Sequence, residues 1–187
     1  MDEANKMNKM VKKLLTLNQI EFGKDQVTFE RFDIVELVQS VIQSATLLAQ
    51  QKGAEIYMED RKPLYVWGDE YMVEEVVTNY ISNALNHVDG EKRIRVTLEI
   101  REEVVRVRVF NTGKPIPEEE LDKIWIKFYK VDKARTRAYG GSGIGLSIVK
   151  AIVEAMHQQC GVSNHPDGVE FWFDIDRKTE GQKTKEI

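Results

Sequence analysis

The chain has 187 residues with a formal net charge of −4, and 42% of its residues are hydrophobic. That length allows one domain plus an appendage, with ample material for a core. The acidic balance and the lack of a broad basic face argue against nucleic acid as a partner. A single cysteine, Cys160, excludes an intrachain disulfide and fits a reducing compartment. No apolar run approaches the roughly 20 residues of a membrane span, and no signal peptide opens the chain. A cytoplasmic chain that makes no membrane contact itself is expected.

Residues 1–23 predict a basic amphipathic helix ending at Gly23. Met7, Met10, Leu14 and Leu17 form one seam, and Val11, Leu15 and Phe22 a second. Two seams suit a helix in a bundle, and a lone helix of this length is marginal in water. It therefore pairs with its copy in a homodimer or folds back on its own domain. Residues 24–32 read as linker and a short strand through Val27 and Phe29. Asp33-Ile-Val-Glu36 opens a second helix like a capping box. Its apolar face carries Ile34, Leu37, Val38, Val41, Ile42, Ala45, Leu48 and Ala49, and Gly53 stops it.

Strands are expected at 56–58 and 64–67, followed by a helix from Asp69 to Val88. Clean alternation marks strands at 94–100 and 105–109. Their outer positions (Arg93, Arg95, Arg101, Arg106, Arg108) are expected to pair with Glu99, Glu102 and Glu103. A short helix at 118–122, a longer one at 143–157 and a hairpin at 161–175 complete the domain, which spans 33–176. Residues 177–187 are polar and expected to be disordered. The fold class is an α+β two-layer sandwich: a mixed, mostly antiparallel sheet covered on one face by helices and preceded by one long helix.

The third helix carries the strongest chemical signal. At about 100° per residue, Val73, Val76, Val77, Tyr80, Ile81, Ala84, Leu85 and Val88 fill one apolar arc. Glu75, Asn79, Ser82, Asn83 and Asn86 fill the narrow arc left over. Asn is a poor helix former because its amide competes for backbone hydrogen bonds. A row of such residues is either a solvated edge or a site for a hard cation and phosphate. Neutral amide oxygens can hold Mg²⁺ without repelling a polyphosphate, and Glu75 is then placed to orient water or accept a proton.

Three further stretches carry chemistry. Asn111-Thr-Gly-Lys-Pro-Ile-Pro117 follows a strand; Gly113 permits close backbone approach, and the Asn111 amide can bond a purine edge. Gly140-Gly-Ser-Gly-Ile-Gly145 opens a helix, where exposed N–H groups can seat a phosphate; a flexible hinge is the alternative. Between them, Ile124–Tyr139 holds Trp125, Phe128 and Tyr129, then Lys130, Lys133, Arg135 and Arg137. It reads as a lid with an aromatic anchor and cations for a polyphosphate, or as a solvated loop. His87, His157 and His165 have no metal-ligand spacing and read as structural.

The succession Glu75-x-x-x-Asn79-x-x-x-Asn83-Ala84, Asn111-x-Gly113, Phe128-Tyr129 and Gly141-x-Gly143-x-Gly145 resembles the catalytic, ATP-binding domain of bacterial sensor histidine kinases over residues 30–176. The wording of residues 110–121, 128–137 and 140–157 looks most like the vancomycin-resistance and phosphate-sensing branch. The resemblance implies a Bergerat-type ATPase fold of the superfamily shared with type II topoisomerase and chaperone ATPases, with ATP and Mg²⁺ as cofactors. It implies Asn83 as the Mg²⁺ ligand, Asn79 on the phosphates and Glu75 as the catalytic carboxylate. Asn86, Asn111, Gly113, Ile116, Phe128, Tyr129, Lys130, Lys133, Arg135, Arg137, Gly141, Ser142, Gly143, Ile144, Gly145 and Leu146 would line the nucleotide.

Three positions depart from the family pattern. Asn111 replaces an Asp that takes the adenine amino group, Pro115 a second Gly, and Asn86 a phosphate-binding Lys, whose charge the lid cations would supply. By the same resemblance residues 1–23 are the second half of a dimerisation hairpin, and none of the histidines has the phosphoacceptor setting. The implied partners are a His-bearing helix of the parent kinase and the receiver domain of a response regulator, and the parent is expected to be membrane-anchored. A nucleotide-binding module without transfer is the alternative. A chaperone or topoisomerase relative is a third reading, with no transducer domain expected after residue 176.

Overall fold

The computed structural model describes residues 2–23, 27–131 and 142–178. In chain order they form α1 (Asp2–Glu21), β1 (Glu30–Asp33), α2 (Ile34–Lys52), β2 (Glu55–Met58), β3 (Tyr65–Gly68) and α3 (Glu70–His87). There follow β4 (Arg93–Ile100), β5 (Val104–Thr112), 3-10 turns at Glu118–Glu120 and Lys123–Trp125, α4 (Gly145–Ala155), β6 (Cys160–His165) and β7 (Gly168–Asp176). The expectations on Lys133, Arg135, Arg137, Gly141 and residues 179–187 lie outside the described residues.

The helices begin and end for local reasons. Asp33 caps α2 by accepting from Val35 N at 3.0 Å, and the same Oδ1 accepts from Leu64 N at 3.0 Å. Gly53, at φ 64°, closes α2 in the left-handed region that a Cβ disfavours. Asp69 caps α3 through Met72 N at 3.1 Å, while its other oxygen accepts from Thr28 N at 3.0 Å. One carboxylate thus starts a helix and fixes the segment leading to β1. At α4 the N-cap is Ile144, which makes no side-chain cap, so the N-cap residue itself offers the first N–H groups of that helix no acceptor.

The sheet order is β1-β3-β7-β5-β4-β2, with β6 paired along β7. Among the described residues β2–β4 is parallel and the other ladders are antiparallel. Inward residues Val105, Val107, Val109, Phe171, Phe173 and Ile175 meet α2, α3 and α4 in one core. Tyr80 reaches through it and donates its hydroxyl to Trp172 O at 2.9 Å. On the outer face Arg106 grips Asp174 with two bonds of 2.7 and 2.9 Å and lies 3.6 Å above the Trp172 ring. Arg108 bridges Glu99 and Glu170. The outer arginines thus pair chiefly with Glu99 and with β7 acids. Glu103 pairs with Lys178 at 3.8 Å.

Local expectations change in four places. The first strand is Glu30–Asp33, not Val27–Phe29: Arg31 and Trp67 pair across β1 and β3, while Phe29 is exposed. On α2, Val35 is buried and Leu48 exposed, because the helix packs on its α3 side. Helix α4 starts at Gly145, since Gly143 at φ 73° lies outside helical space. The stretch after Asp122 opens with a 3-10 turn that buries Ile124.

Helix α1 folds back on α4. Leu17 and Ile20 are buried in the common core, and Met10 and Leu14 pack on its edge. Met7, Val11, Leu15 and Phe22 are exposed. Of the first seam, Met10, Leu14 and Leu17 close intramolecularly together with Ile20, while Met7 stays exposed.

Candidate functional site

Burial along α3 follows the two arcs. Val73, Val76, Val77, Tyr80, Ile81, Ala84 and Leu85 are buried, whereas Glu75, Asn83 and Asn86 are half-buried and Ser82 is exposed. Asn79 is the buried member of the amide row, 6% exposed. Its Nδ2 donates to Glu75 O at 2.8 Å and Glu75 Oε1 at 3.2 Å, so the amide orients the carboxylate one turn earlier. Its Oδ1 accepts from Lys13 Nζ of α1 at 3.4 Å. The Asn83 and Asn86 side chains make no hydrogen bond among the described residues. Half-buried amides in that state are suited to a ligand.

Two glycine-dependent turns bracket this row. At the start of α4, a Cβ on Gly145 would stand 2.8 Å from Asn79 Oδ1. Only a glycine lets the two helices approach so closely. At the far end, a Cβ on Gly113 (φ 150°) would lie 2.8 Å from His87 O. Thr112 Oγ1 donates to Asp89 O at 2.9 Å, and Asp89 N returns a bond to Thr112 O at 2.9 Å. The Asn111 turn is thereby fixed against the C-terminus of α3. Asn111 is buried, and its Nδ2 donates to Thr112 O at 3.2 Å. That bond uses one of the two amide N–H donors and leaves Oδ1 as an acceptor.

The described part of the stretch after Asp122 runs beside α4. Trp125 packs edge-on against Phe171, 5.9 Å between ring centres, and Trp125 O accepts from Ser147 Oγ at 3.2 Å. Phe128 N donates to Gly143 O at 2.8 Å, with Phe128 itself at φ 64°. Lys130 Cε lies 3.3 Å from where a Gly143 Cβ would stand. Trp125, with Ile124, is the apolar anchor. Phe128 is exposed, and the Tyr129 hydroxyl bonds Glu120. Ser142, Gly143, Gly145 and Leu146 are half-buried and Ile144 fully buried.

The residues that sequence reasoning missed are distant in the chain. Lys13 stands 66 positions from Asn79, and Asn164 bonds both backbone groups of Ile116 from 48 positions away. Only strand register and helix docking bring them in, so no local motif marks them. Cys160 is no rival nucleophile: burial first, then Glu154, pushes its thiol up to about 11. Among the described residues no three His, Cys, Asp or Glu cluster as metal ligands, so a metal reading rests on the amide oxygens. No described helix is long and apolar enough to cross a membrane.

Residues 68–179 match the family model described as histidine kinase-, DNA gyrase B-, and HSP90-like ATPase. The chain is 33% identical over 180 residues to the probable sensor kinase SilS of Salmonella typhimurium, which is 95% of this chain but 36% of SilS. It therefore spans about a third of that relative's length. The nucleotide-free catalytic domain of histidine kinase ThkA superposes with a TM-score of 0.72 at 29% identity, covering 80% of this chain and 96% of that one. ThkA in complex with the response regulator TrrA gives 0.76 at 28%, covering 95% and 49%. Full-length ShkA in complex with AMPPNP gives 0.80 at 25%, covering 92% and 36%.

Proposed function

The chain belongs to the histidine kinase-, DNA gyrase B- and HSP90-like ATPase family, and we propose that it is the catalytic domain of a sensor kinase, moving the γ-phosphoryl of ATP to a histidine on a dimerisation helix. The observation that carries this reading is the Asn79–Asn83–Asn86 row on α3, whose buried member Asn79 lies against Gly145 at the start of α4, a start that its N-cap residue Ile144 does not cap. Amide groups and the N–H groups of a helix N-terminus together suit a polyphosphate.

Asn79 holds the Glu75 carboxylate at 3.2 Å. In transfer, a ring nitrogen of the acceptor histidine attacks the γ-phosphorus. The bond from that phosphorus to the bridging oxygen breaks, ADP departs with the electron pair, and Glu75 takes the proton from the ring's other nitrogen. The Asn111 Oδ1 accepts from the adenine 6-amino group, while Gly113 and Ile116 border the base. Lys130 and, outside the described residues, Lys133, Arg135 and Arg137 neutralise phosphate charge. Asn83, whose side chain makes no hydrogen bond among the described residues, would hold Mg²⁺, which would supply further charge neutralisation. The acceptor helix, a receiver domain and a second copy through α1 are the partners.

Mg-ATP labelled on the γ-phosphate, mixed with a dimerisation hairpin that bears a phosphoacceptor histidine, tests this. Acid-labile phosphohistidine is expected. Glu75→Gln should bind ATP equally and transfer about 10²–10⁴-fold more slowly. A second reading, a nucleotide module without transfer, is favoured by the Lys13 ammonium on Asn79 Oδ1, the oxygen facing the glycine turn. Saturating ATP binding with no phosphohistidine from either form would select it. Steady turnover without acceptor would instead favour a chaperone- or topoisomerase-like ATPase.

A further inference from the structure

The turn from Asn111 to Pro117 is supported very unevenly. Its first half is tied by backbone: Gly113 N donates to Asp167 O at 3.0 Å in the β6–β7 hairpin. Lys114 and Pro115 are exposed, and proline has no N–H to give. The second half is tied by one side chain. Ile116 N donates to Asn164 Oδ1 at 3.0 Å, and Asn164 Nδ2 donates to Ile116 O at 2.6 Å.

The Asn164 amide presents to Ile116 the donor and acceptor that a neighbouring strand would present. Its own place is set by register: Asn164 pairs with Val169 on β7, and Val169 pairs with Asn111 on β5. Directly paired residues share a sheet face, so Asn164 and Asn111 stand on the same face, either side of buried Val169. Ile116 lies half-buried against the core from that same side.

From this geometry we infer that Asn164 is a positioning residue for the nucleobase cleft, holding Ile116 at a fixed distance from Asn111 without touching the nucleotide. The inference rests on reading Asn111–Ile116 as the base-binding edge. A glutamine would overreach the turn. An aspartate would keep the acceptor for Ile116 N–H but set its second oxygen against Ile116 O. Alanine would leave both backbone groups of Ile116 without their partner, in a segment where no other described side chain replaces it.

The test compares the full chain with Asn164→Ala and Asn164→Asp by titration with Mg-ATP and with Mg-tripolyphosphate, which lacks a base. Loss of two hydrogen bonds that order one wall of the cleft should weaken ATP about tenfold. Tripolyphosphate affinity should stay the same, and ATP kcat should be retained while KM rises. Equal weakening toward both ligands would mean a general structural role and overturn the inference, as would unchanged ATP affinity in a folded variant. Should the alanine variant fail to fold, the aspartate variant carries the same comparison. A parent chain that binds ATP no more tightly than tripolyphosphate would instead defeat the base-site reading itself.

Discussion

A methyl group at Gly145 would face Asn79 Oδ1 at 2.8 Å, well inside carbon–oxygen van der Waals contact. Alanine is the better helix former by about 1 kcal/mol, yet here it must separate α4 from α3 or displace the amide that orients Glu75. Gly145→Ala should therefore lower stability by about 1–3 kcal/mol in a urea melt, while ATP affinity drops more than about tenfold. Unimpaired ATP binding in a titration would show that the close approach is packing alone. The amide row was readable because asparagines at helical spacing defy propensity, and the glycines because they punctuate strand and helix. Lys13 and Asn164 carried no such mark: each is an ordinary polar residue until α1 docks or β6 finds its register.

Helix α1 shows the same division at the level of elements. Periodicity revealed two apolar seams but not which one faces the domain, since Leu17 and Leu15 look alike in sequence. In the structure Leu17 is 1% exposed and Leu15 57%. Leu17→Ala should cost about 2–5 kcal/mol, whereas Leu15→Ala should stay within about 0.5 kcal/mol. Denaturant unfolding of the two variants checks this, and equal small losses would mean that α1 is not docked. The long strands β4 and β5 were legible because alternation is local. Strand order was not, because β7 lies between β5 on one side and β6 and β3 on the other, and long crossovers leave no trace in spacing. Strand β1 was misplaced for a related reason: four residues paired only with β3 are too few to show a period.

At the scale of the whole molecule, nucleotide binding and folding are linked, because the proposed site exists only when α3, α4 and the Asn111 turn are assembled. A ligand that binds the folded chain alone stabilises it by RT ln(1 + [L]/Kd), about 2.7 kcal/mol at a hundredfold excess over Kd. For a domain of this size, that corresponds to a rise of roughly 5–10 °C in Tm. The Asn83 side chain makes no hydrogen bond among the described residues, so Asn83→Ala should leave the ligand-free Tm within about 2 °C of the parent. The same variant should lose most of the rise produced by Mg-ATP. Asn79→Ala, by contrast, removes bonds to Glu75 and a buried amide, and should lower the ligand-free Tm as well. A thermal scan of the three proteins with and without Mg-ATP separates the two roles, since an amide kept only for the fold would shift both curves together.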